Sequence, residues 1–340
     1  MSYITTNNIT SINAELTNYC NAACPMCARY FIDGKLNKEK VNNMHTSLEF
    51  IQEKIGVDII KKLRYFTSCG NFGDGAMNPD CVKIYSWLRE VNPNIKLMLH
   101  SNGGARNKNF WEDLAKINVC VVFAIDGLED TNHIYRRNVK WDKLMENVEA
   151  FISAGGTADW DMLIFKHNEH QIDECKKLSE QLGFRYFQAK QSSRWSDYDS
   201  EGIWRSLDNI SAGKYVLEKS TKLSAPEIGI MPGNIQKVNI NKQEVNTKKI
   251  KCYAHNIEKN FVEIYLAVNG DVSPCCWLGD LKMHESKNII KDYNKVNLNY
   301  TPLIEILEGD YFKELEKGIK GDVSAYRLHT CYMTCGIKDQ

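Results

Sequence analysis

Three cysteines, Cys20, Cys24 and Cys27, lie within one short segment near the start of the chain. Cysteine thiolates are soft ligands that select zinc, copper(I) or iron–sulfur clusters. A cubane iron–sulfur cluster as a rule has one cysteine ligand per iron, so a trio of cysteines leaves one iron open. An open position distinguishes a catalytic metal site from a closed structural one. The segment therefore predicts a reactive metal site, with a zinc site completed by a distant ligand such as His45, or unrelated thiols, as alternatives.

The composition limits the classes of protein to consider. The chain has 340 residues, with 43 Lys and Arg against 43 Asp and Glu. This length predicts one large domain plus a smaller one, and the even charge balance gives no general attraction to nucleic acid or an anionic membrane. No signal peptide is recognisable, and no stretch approaches the about 18 consecutive apolar residues of a membrane span. We therefore expect a cytoplasmic protein with reduced cysteines.

Strand and helix patterns alternate along the first 195 residues. Six such steps predict parallel strands in a barrel-like or doubly wound α/β sheet. The predicted strands are 12–16, 64–68, 95–100, 119–125, 159–165 and 184–189. The predicted helices have their apolar residues in 48–59, 81–88, 110–114, 141–151 and 172–182. Thr46-Ser47-Leu48-Glu49 has the form of a capping box before the first helix.

Unusual loops follow the predicted strand ends. They comprise residues 20–27, the glycine-rich segment 69–75, residues 101–104 and residues 126–127. In parallel sheets the chemistry lies beyond the carboxyl ends of the strands. These loops are therefore predicted to meet at one mouth.

The C-terminal part of the chain carries a second group of cysteines. Residues 261–268 and 271–277 have strand character, and Asn269-Gly270 between them is a preferred pair for a type I′ hairpin turn. The cysteines around this hairpin are Cys252, Cys275, Cys276, Cys331 and Cys335. We predict a small cysteine-rich domain at 251–340, after a connector at 196–250. The lysine-rich stretch 237–251 is interpreted as solvated, because aromatic residues are not interleaved with its lysines, and nucleic-acid binding is the less favoured alternative.

The C-x3-C-x2-C spacing at the end of the first strand resembles the signature of the radical S-adenosylmethionine (SAM) superfamily. The resemblance implies that Cys20, Cys24 and Cys27 hold a [4Fe-4S] cluster whose open iron is chelated by SAM. It also implies that an electron from the cluster cleaves the sulfonium and releases a 5′-deoxyadenosyl radical, which abstracts hydrogen from the substrate. Met26 departs from the aromatic residue often found at this adenine-contacting position.

Later loops are similar to the cofactor contacts of that family. Segment 70–75 stands where the family has a G-x-x-G-E/D-P stretch that receives the methionyl ammonium. Asp126-Gly127 together with Arg136 resembles a V-S-I-D-G…Y-R pattern of the family, with Ala124 in place of its serine. Ordinary tight turns are the alternative for the glycine-rich loop and for Asp126-Gly127. The SAM contacts implied by the resemblance are Met26, Gly70, Asn71, Gly73, Asp74, Ser101, Asn102, Asp126 and Arg136.

The C-terminal cysteines are similar to the SPASM/twitch extensions of radical enzymes. The number of cysteines in this region, five, fits a twitch-like domain in which Cys252, Cys275, Cys331 and Cys335 hold one auxiliary [4Fe-4S] cluster. A structural zinc site is the alternative. Adjacent strand residues point to opposite faces, so Cys275 and Cys276 are not expected to bind the same cluster, and which one binds is open. The spare thiol Cys276, or Cys69, could give a hydrogen atom to a substrate radical, as in epimerising members, although a passive buried thiol is the simpler interpretation of each.

We therefore expect a partial (β/α)6 TIM-like barrel at residues 1–195, followed by the connector and the twitch-like domain. The expected function is radical SAM oxidation or epimerisation of a small polar molecule such as a sugar or aminocyclitol, with a flavodoxin- or ferredoxin-type electron donor. Peptide or protein side-chain modification is the other substrate class. Because the chain starts almost at the first strand, no N-terminal leader-peptide-binding domain is expected. A non-catalytic zinc-binding interaction protein is the rival from another class.

Overall fold

The structure is a computed structural model that describes residues 4–30, 35–192, 203–205, 216–222, 250–256, 259–281, 285–322, 325 and 328–335. Most of the predicted connector 196–250, including most of the lysine-rich stretch, lies outside these residues. The domain boundaries at 195 and 250 therefore stay predictions. Among the described helices, none is both long and apolar enough to cross a membrane.

The described strands form a nine-stranded sheet in which β9 pairs with β10 and the other strands follow the order β11-β10-β1-β2-β3-β4-β5-β6. In chain order, its strands are β1 (Ser11–Ala14), β2 (Tyr65–Ser68), β3 (Lys96–Ser101), β4 (Val119–Ala124), β5 (Ala158–Ile164), β6 (Tyr186–Gln191), β9 (His255–Asn256), β10 (Phe261–Leu266) and β11 (Val272–Ser273). A separate antiparallel pair contains β7 (Ile203–Arg205) and β8 (Val216–Glu218). Strands β1 to β6 run parallel, so the predicted parallel barrel sheet is confirmed.

Helices connect the parallel strands of the barrel, and further helices follow β11. They are α1 (Leu48–Lys54), α2 (Val57–Ile60), α3 (Cys81–Val91), α4 (Lys108–Lys116), α5 (Glu129–Tyr135), α6 (Trp141–Ser153), α7 (Ile172–Leu182), α8 (Leu303–Leu307), α9 (Asp310–Lys320) and α10 (His329–Cys335). An aromatic cluster joins the helices to the sheet: Phe123 of β4 lies 5.3 Å from Trp111 of α4 and 5.7 Å from Phe151 of α6 between ring centroids. Burying such side chains contributes about 1.5–3 kcal/mol each and fixes the sheet that carries the loops.

The first predicted helix differs in its start and its length. Ser47, not Thr46, is the N-cap, and its hydroxyl accepts a hydrogen bond from Phe50 N at 3.1 Å. The Thr46 hydroxyl instead donates to the carbonyl oxygen of Glu15 at 3.2 Å. Gly56, at φ 79°, separates α1 from α2, so the apolar pattern 48–59 covers two short helices.

The segment after β4 also differs from the prediction. A single helix around 141–151 was expected, but α5 precedes α6. Arg136 ends α5 with φ −83° and ψ 59°, and Asn138 has a positive φ of 66°. The break between the two helices places Arg136 at a helix end, above the carboxyl end of the sheet.

The predicted C-terminal hairpin is present, and it extends the main sheet. Strand β10 runs parallel to β1, with Ser11 opposite Glu263 and Ala14 opposite Leu266. Gly270 takes a φ of 90° in the turn before β11. The return strand ends at Ser273, so the prediction that Cys275 and Cys276 lie on it is wrong: Cys276 begins a 3-10 turn, Cys276–Leu278. Strand alternation therefore does not orient these two thiols.

Candidate active site

The loops at the carboxyl ends of the strands surround a cavity of about 490 Å³. Its walls come from the cysteine loop, from the glycine-rich loop 69–75, from strands β3 to β6 and from Trp277 of the C-terminal region. Most of the predicted site residues line this cavity, namely Cys20, Cys24, Cys27, Cys69, Gly70, Asn71, Gly73, Asp74, Ser101, Asn102 and Arg136. The structure thus brings together residues from four separate segments of the sequence.

Each sulfur of the cysteine loop accepts a hydrogen bond from a nitrogen donor. These bonds run from Asn102 Nδ2 to Cys20 Sγ at 3.5 Å, from Arg136 Nη1 to Cys24 Sγ at 3.7 Å, and from Arg29 Nε to Cys27 Sγ at 3.5 Å. Hydrogen bonds to the sulfurs stabilise thiolate ligands and tune iron–sulfur clusters. The chemistry of these donors therefore fits a thiolate-bound cluster.

The buried side chain of Arg29 stabilises the cysteine loop through hydrogen bonds to its backbone, a role that was not predicted from the sequence. It is buried, and it donates to the carbonyl oxygens of Cys20, at 3.2 Å, and of Ala22. Burial raises the pKa of the Cys20 thiol, and the Arg29 guanidinium opposes that rise. Burial likewise raises the pKa of Cys24, against the effect of Arg136. Two guanidinium groups thus favour the thiolate forms that metal ligation requires.

The glycine-rich loop packs against the cysteine loop without room for side chains at two glycines. A Cβ atom at Gly70 would overlap the carbonyl oxygen of Gly73, and one at Gly73 would overlap that of Thr17. Asp74 N donates to the carbonyl oxygen of Tyr19 at 2.9 Å. The position of this loop therefore depends on the segment that leads into Cys20.

Asp74 joins the glycine-rich loop to the end of β3. Its Oδ2 accepts hydrogen bonds from Ser101 Oγ at 3.0 Å and from Asn102 N and Nδ2 at 2.8 and 2.6 Å. Its Oδ1 accepts from Ala76 N at 3.0 Å. Burial raises the pKa of Asp74, and these hydrogen bonds lower it in part. Three of the predicted cofactor contacts, Asp74, Ser101 and Asn102, thus form one connected unit.

Asp126 acts on the cavity through Arg136. It is completely buried and lies behind the cavity wall, with Oδ2 at 2.6 Å from Arg136 Nε and Oδ1 accepting from Leu163 N at 2.6 Å. Burial raises the pKa of Asp126, and the Arg136 guanidinium lowers it in part. The carboxylate therefore orients Arg136, which itself lines the cavity and reaches Cys24.

Two other predicted site residues do not line the cavity. Met26 is 4% exposed and packs in the hydrophobic core. Cys276 is not among the residues that line the cavity, although the next residue in the chain, Trp277, does line it. Burial raises the pKa of the Cys276 thiol, and Cys275 and Cys69 act on it in the same direction. Cys276 is therefore close to the cavity-lining Cys69.

Four C-terminal thiols form a second group. The pKa of Cys252 is raised by a hydrogen bond with Cys335, by burial, and by Cys275 and Cys331, while Cys335 has its pKa lowered to about 7 by the same hydrogen bond. Lys251 N donates to the carbonyl oxygen of Cys335 at 2.8 Å, which joins the two ends of this region. Within the described ranges, no three His, Cys, Asp or Glu side chains converge on a single-ion position.

The wall on the β3 to β6 side is polar, which the sequence analysis missed. His100 and Lys190 line the cavity, and Lys190 pairs with Asp161 of β5. Burial lowers the pKa of His100, against the effect of Asp161. Strands of a parallel sheet are usually apolar on both faces. The alternation Asp159-Trp160-Asp161-Met162 in β5, with apolar Trp160 and Met162 at 0% exposure, was the available sequence signal.

Glu15 is the other residue that the sequence analysis missed. It follows β1, is 1% exposed, and accepts hydrogen bonds from the backbone of the glycine-rich loop and from the Tyr265 hydroxyl. Burial raises the pKa of Glu15 to about 7, and these hydrogen bonds lower it in part. Buried carboxyl groups beside a cleft are frequent at functional sites.

The fold and the site define an α/β-barrel protein with three cysteine thiols lining the cavity at its mouth. Residues 14–178, from the end of β1 to α7, match the family model "Radical SAM superfamily" and form a radical SAM domain. This match over residues 14–178 supports the general chemistry of that family, with a [4Fe-4S] cluster and SAM as cofactors. No curated protein matches the chain.

Solved structures of similar fold include SuiB from Streptococcus suis bound to precursor peptide SuiA. It is 13% identical, with a TM-score of 0.58 over 94% of this chain and 67% of that one. SuiB bound to S-adenosylmethionine is 14% identical, with a TM-score of 0.53 over 96% of this chain and 78% of that one. The protein anSMEcpe with bound AdoMet is 12% identical, with a TM-score of 0.53 over 90% of this chain and 79% of that one. At these identities the likeness establishes the fold.

Proposed function

We propose that this protein is a radical SAM enzyme that removes hydrogen from a C–H bond of a small polar molecule and thereby oxidises or epimerises it. The observation that carries the proposal is the set of three cysteine sulfurs, each accepting a nitrogen-donated hydrogen bond, at the mouth of one cavity. When bound, the cluster and SAM supply the 5′-deoxyadenosyl radical that removes the hydrogen atom.

Different residues of the chain are proposed to bind the cluster and SAM. Cys20, Cys24 and Cys27 are the proposed cluster ligands, and Arg29 keeps their loop in place. The proposed SAM contacts are Gly70, Asn71, Gly73, Asp74, Ser101, Asn102 and Arg136, all of which line the cavity. Met26 and Asp126 support that surface from behind: Met26 through packing and Asp126 through its ion pair with Arg136.

A second [4Fe-4S] cluster is proposed at Cys252, Cys275, Cys331 and Cys335. Cys275 is preferred over Cys276 because Cys331 and Cys335 act on the Cys275 thiol, whereas the Cys276 thiol is influenced by Cys69. This assignment makes residues 251–340 a twitch-like domain beside a barrel at 1–195. An external flavodoxin- or ferredoxin-type protein is the proposed electron donor, in the cytoplasm.

The polar cavity wall supports a small polar substrate. Lys190, Asp161 and His100 offer donors and acceptors with no net charge, because Lys190 pairs with Asp161 and burial keeps His100 neutral. Such a set matches hydroxyl and amino groups, as on a sugar or aminocyclitol. A peptide is the second candidate substrate, because SuiB and anSMEcpe have been solved with bound peptides.

Cys69 and Cys276 are the proposed hydrogen donors of an epimerising reaction. Cys69 lines the cavity, and Cys276 lies close enough to it for their thiols to interact. The cavity-lining thiol of Cys69 would return a hydrogen atom to the substrate carbon, and Cys276 would supply it through Cys69. The thiyl radical that remains would be restored to a thiol by an electron from the external donor protein and a proton from water.

The proposal is tested by anaerobic incubation with SAM, dithionite and a panel of sugars, aminocyclitols and peptides in D₂O. We expect a sugar or aminocyclitol to be consumed, with solvent deuterium at the epimerised carbon because thiol hydrogens exchange with water. Replacing the donor thiol, by Cys69→Ser or Cys276→Ser, should lower deuterium incorporation at least about tenfold and build up oxidised product. Cys120→Ser, a half-buried thiol of β4, is the matched control.

Two results would change this proposal. Intact turnover in both serine variants, with no oxidised product, would exclude epimerisation by these thiols. Consumption of peptides in place of the small molecules would move the substrate to the second class.

A further inference from the structure

Glu15 binds three consecutive backbone N–H groups of the glycine-rich loop. Its Oε1 accepts from Phe72 N at 2.7 Å and from Gly73 N at 2.9 Å, and its Oε2 accepts from Asn71 N at 3.3 Å. Hydrogen bonds from N–H groups to a carboxylate are stronger than those to a neutral acceptor. A single side chain at the end of β1 therefore fixes the middle of this loop.

The same carboxylate is bound from the C-terminal hairpin. The Tyr265 hydroxyl of β10 donates to Glu15 Oε2, and Tyr265 is completely buried. Strand β10 holds this side chain in register, because Tyr265 lies opposite Asn13 and Glu15 N donates to the carbonyl oxygen of Leu266 at 2.8 Å. The loop and the hairpin thus share one buried acceptor.

A second contact joins the same two regions. Asn71 Nδ2, in the glycine-rich loop, donates to the carbonyl oxygen of Cys276 at 2.9 Å. Cys276 follows Cys275, which belongs to the C-terminal group of four thiols. A shift of the hairpin would therefore reach the loop by two routes, one through Tyr265 and Glu15 and one through Cys276 and Asn71.

We propose that Glu15 is a positioning residue that couples the C-terminal cysteine region to the glycine-rich loop and so sets the affinity for SAM. The loop has no freedom to compensate, because Gly73 lies against the carbonyl oxygen of Thr17 and Asp74 N binds that of Tyr19. Loss of the Tyr265 bond would loosen Glu15, and the loop amides would then open more often. This inference rests on the proposed function for its cofactor and on hydrogen bonds alone for the coupling.

The coupling is tested first without any cofactor. The pKa of Glu15 is about 7, so exchange is followed at about pH 8.5, where its carboxyl group is ionised. Hydrogen exchange of the amides in 69–75 should accelerate about tenfold or more in Tyr265→Phe and in Glu15→Gln, since a hydrogen bond to a charged group is lost or weakened in each. Ser179→Ala is the matched control, because it removes another buried hydroxyl, one that donates to the carbonyl oxygen of Lys176 at 2.6 Å within α7. Its exchange in 69–75 should equal that of the wild type.

The consequence for SAM is measured on the same variants after cluster reconstitution. Equilibrium dialysis should give a Kd for SAM raised about tenfold in Tyr265→Phe, and the KM for SAM should rise while kcat stays within about twofold. Unchanged exchange in both variants, or faster exchange with an unchanged Kd, would overturn the coupling. Failure of the proposed function would instead appear in the wild type, as an absence of SAM binding.

Discussion

Replacing Gly73 with alanine is expected to reduce SAM-dependent formation of 5′-deoxyadenosine at least about 100-fold, because small displacements of positioning groups have effects of this size. The new Cβ would overlap the carbonyl oxygen of Thr17 and lie 3.0 Å from Asn18 Cα. Both are backbone atoms on the segment that leads into Cys20. The loop must therefore move away from the cysteines. Asp74 would move with it, which would disturb its hydrogen bonds with Ser101 and Asn102.

The matched control for this substitution is Gly155→Ala. Gly155 has a positive φ of 84°, and a Cβ there would meet nothing within 4 Å. Its only cost is backbone strain of about 1 kcal/mol, at a site remote from the cavity. Rates are measured by chromatography of 5′-deoxyadenosine under anaerobic conditions. Wild-type rates in Gly73→Ala would show that this close approach does not govern the site.

Replacing Asp126 with asparagine is expected to lower the free energy of unfolding by about 3–5 kcal/mol, the usual cost of breaking a buried ion pair. The Asp126 side chain is 0% exposed and that of Arg136 is 16% exposed, so the remaining guanidinium charge would have little access to water. Denaturant unfolding of the cluster-free protein measures the effect. The double variant Asp126→Asn with Arg136→Met should recover part of the loss, because it removes the unpaired charge.

Asp159→Asn provides the comparison for that ion pair. Asp159 pairs with Arg185, whose side chain is 57% exposed. An exposed arginine recovers its hydration when its partner is lost, so this variant should cost about 1 kcal/mol or less. Equal losses in the two variants would contradict the assignment of Asp126–Arg136 as a buried pair that holds the site.

The amino-acid sequence was sufficient to predict the parallel barrel sheet and the meeting of its loops at one edge. Strands such as β4 are continuous apolar runs, and parallel strands bring their carboxyl ends to one edge regardless of side-chain detail. The cysteine loop and the glycine-rich loop therefore had to meet once the strands were recognised. Gly183, with a φ of 89° after α7, ended its helix as its residue type predicts.

Features that depend on contacts between distant segments were not predictable in this way. Glu15 has the pattern of a strand-end residue, and its partner Tyr265 is 250 positions away. The break after Arg136 includes a positive φ at Asn138, which the helical periodicity of the following residues concealed. The length of β11 is set by its pairing with β10, which involves only two residues of β11. The sequence pattern does not show where this pairing stops, and the prediction therefore extended the strand to Cys275 and Cys276.

The central claim is that the three thiols at the cavity mouth hold an iron–sulfur cluster. Iron and sulfide content of the anaerobically purified wild type, compared with the variant in which Cys20, Cys24 and Cys27 are all alanine, tests it most directly. We expect the iron content to fall from about eight to about four per chain, with sulfide falling in parallel and 5′-deoxyadenosine formation lost. A colourless wild-type protein that carries zinc without sulfide, and forms no 5′-deoxyadenosine with dithionite and SAM, would contradict it.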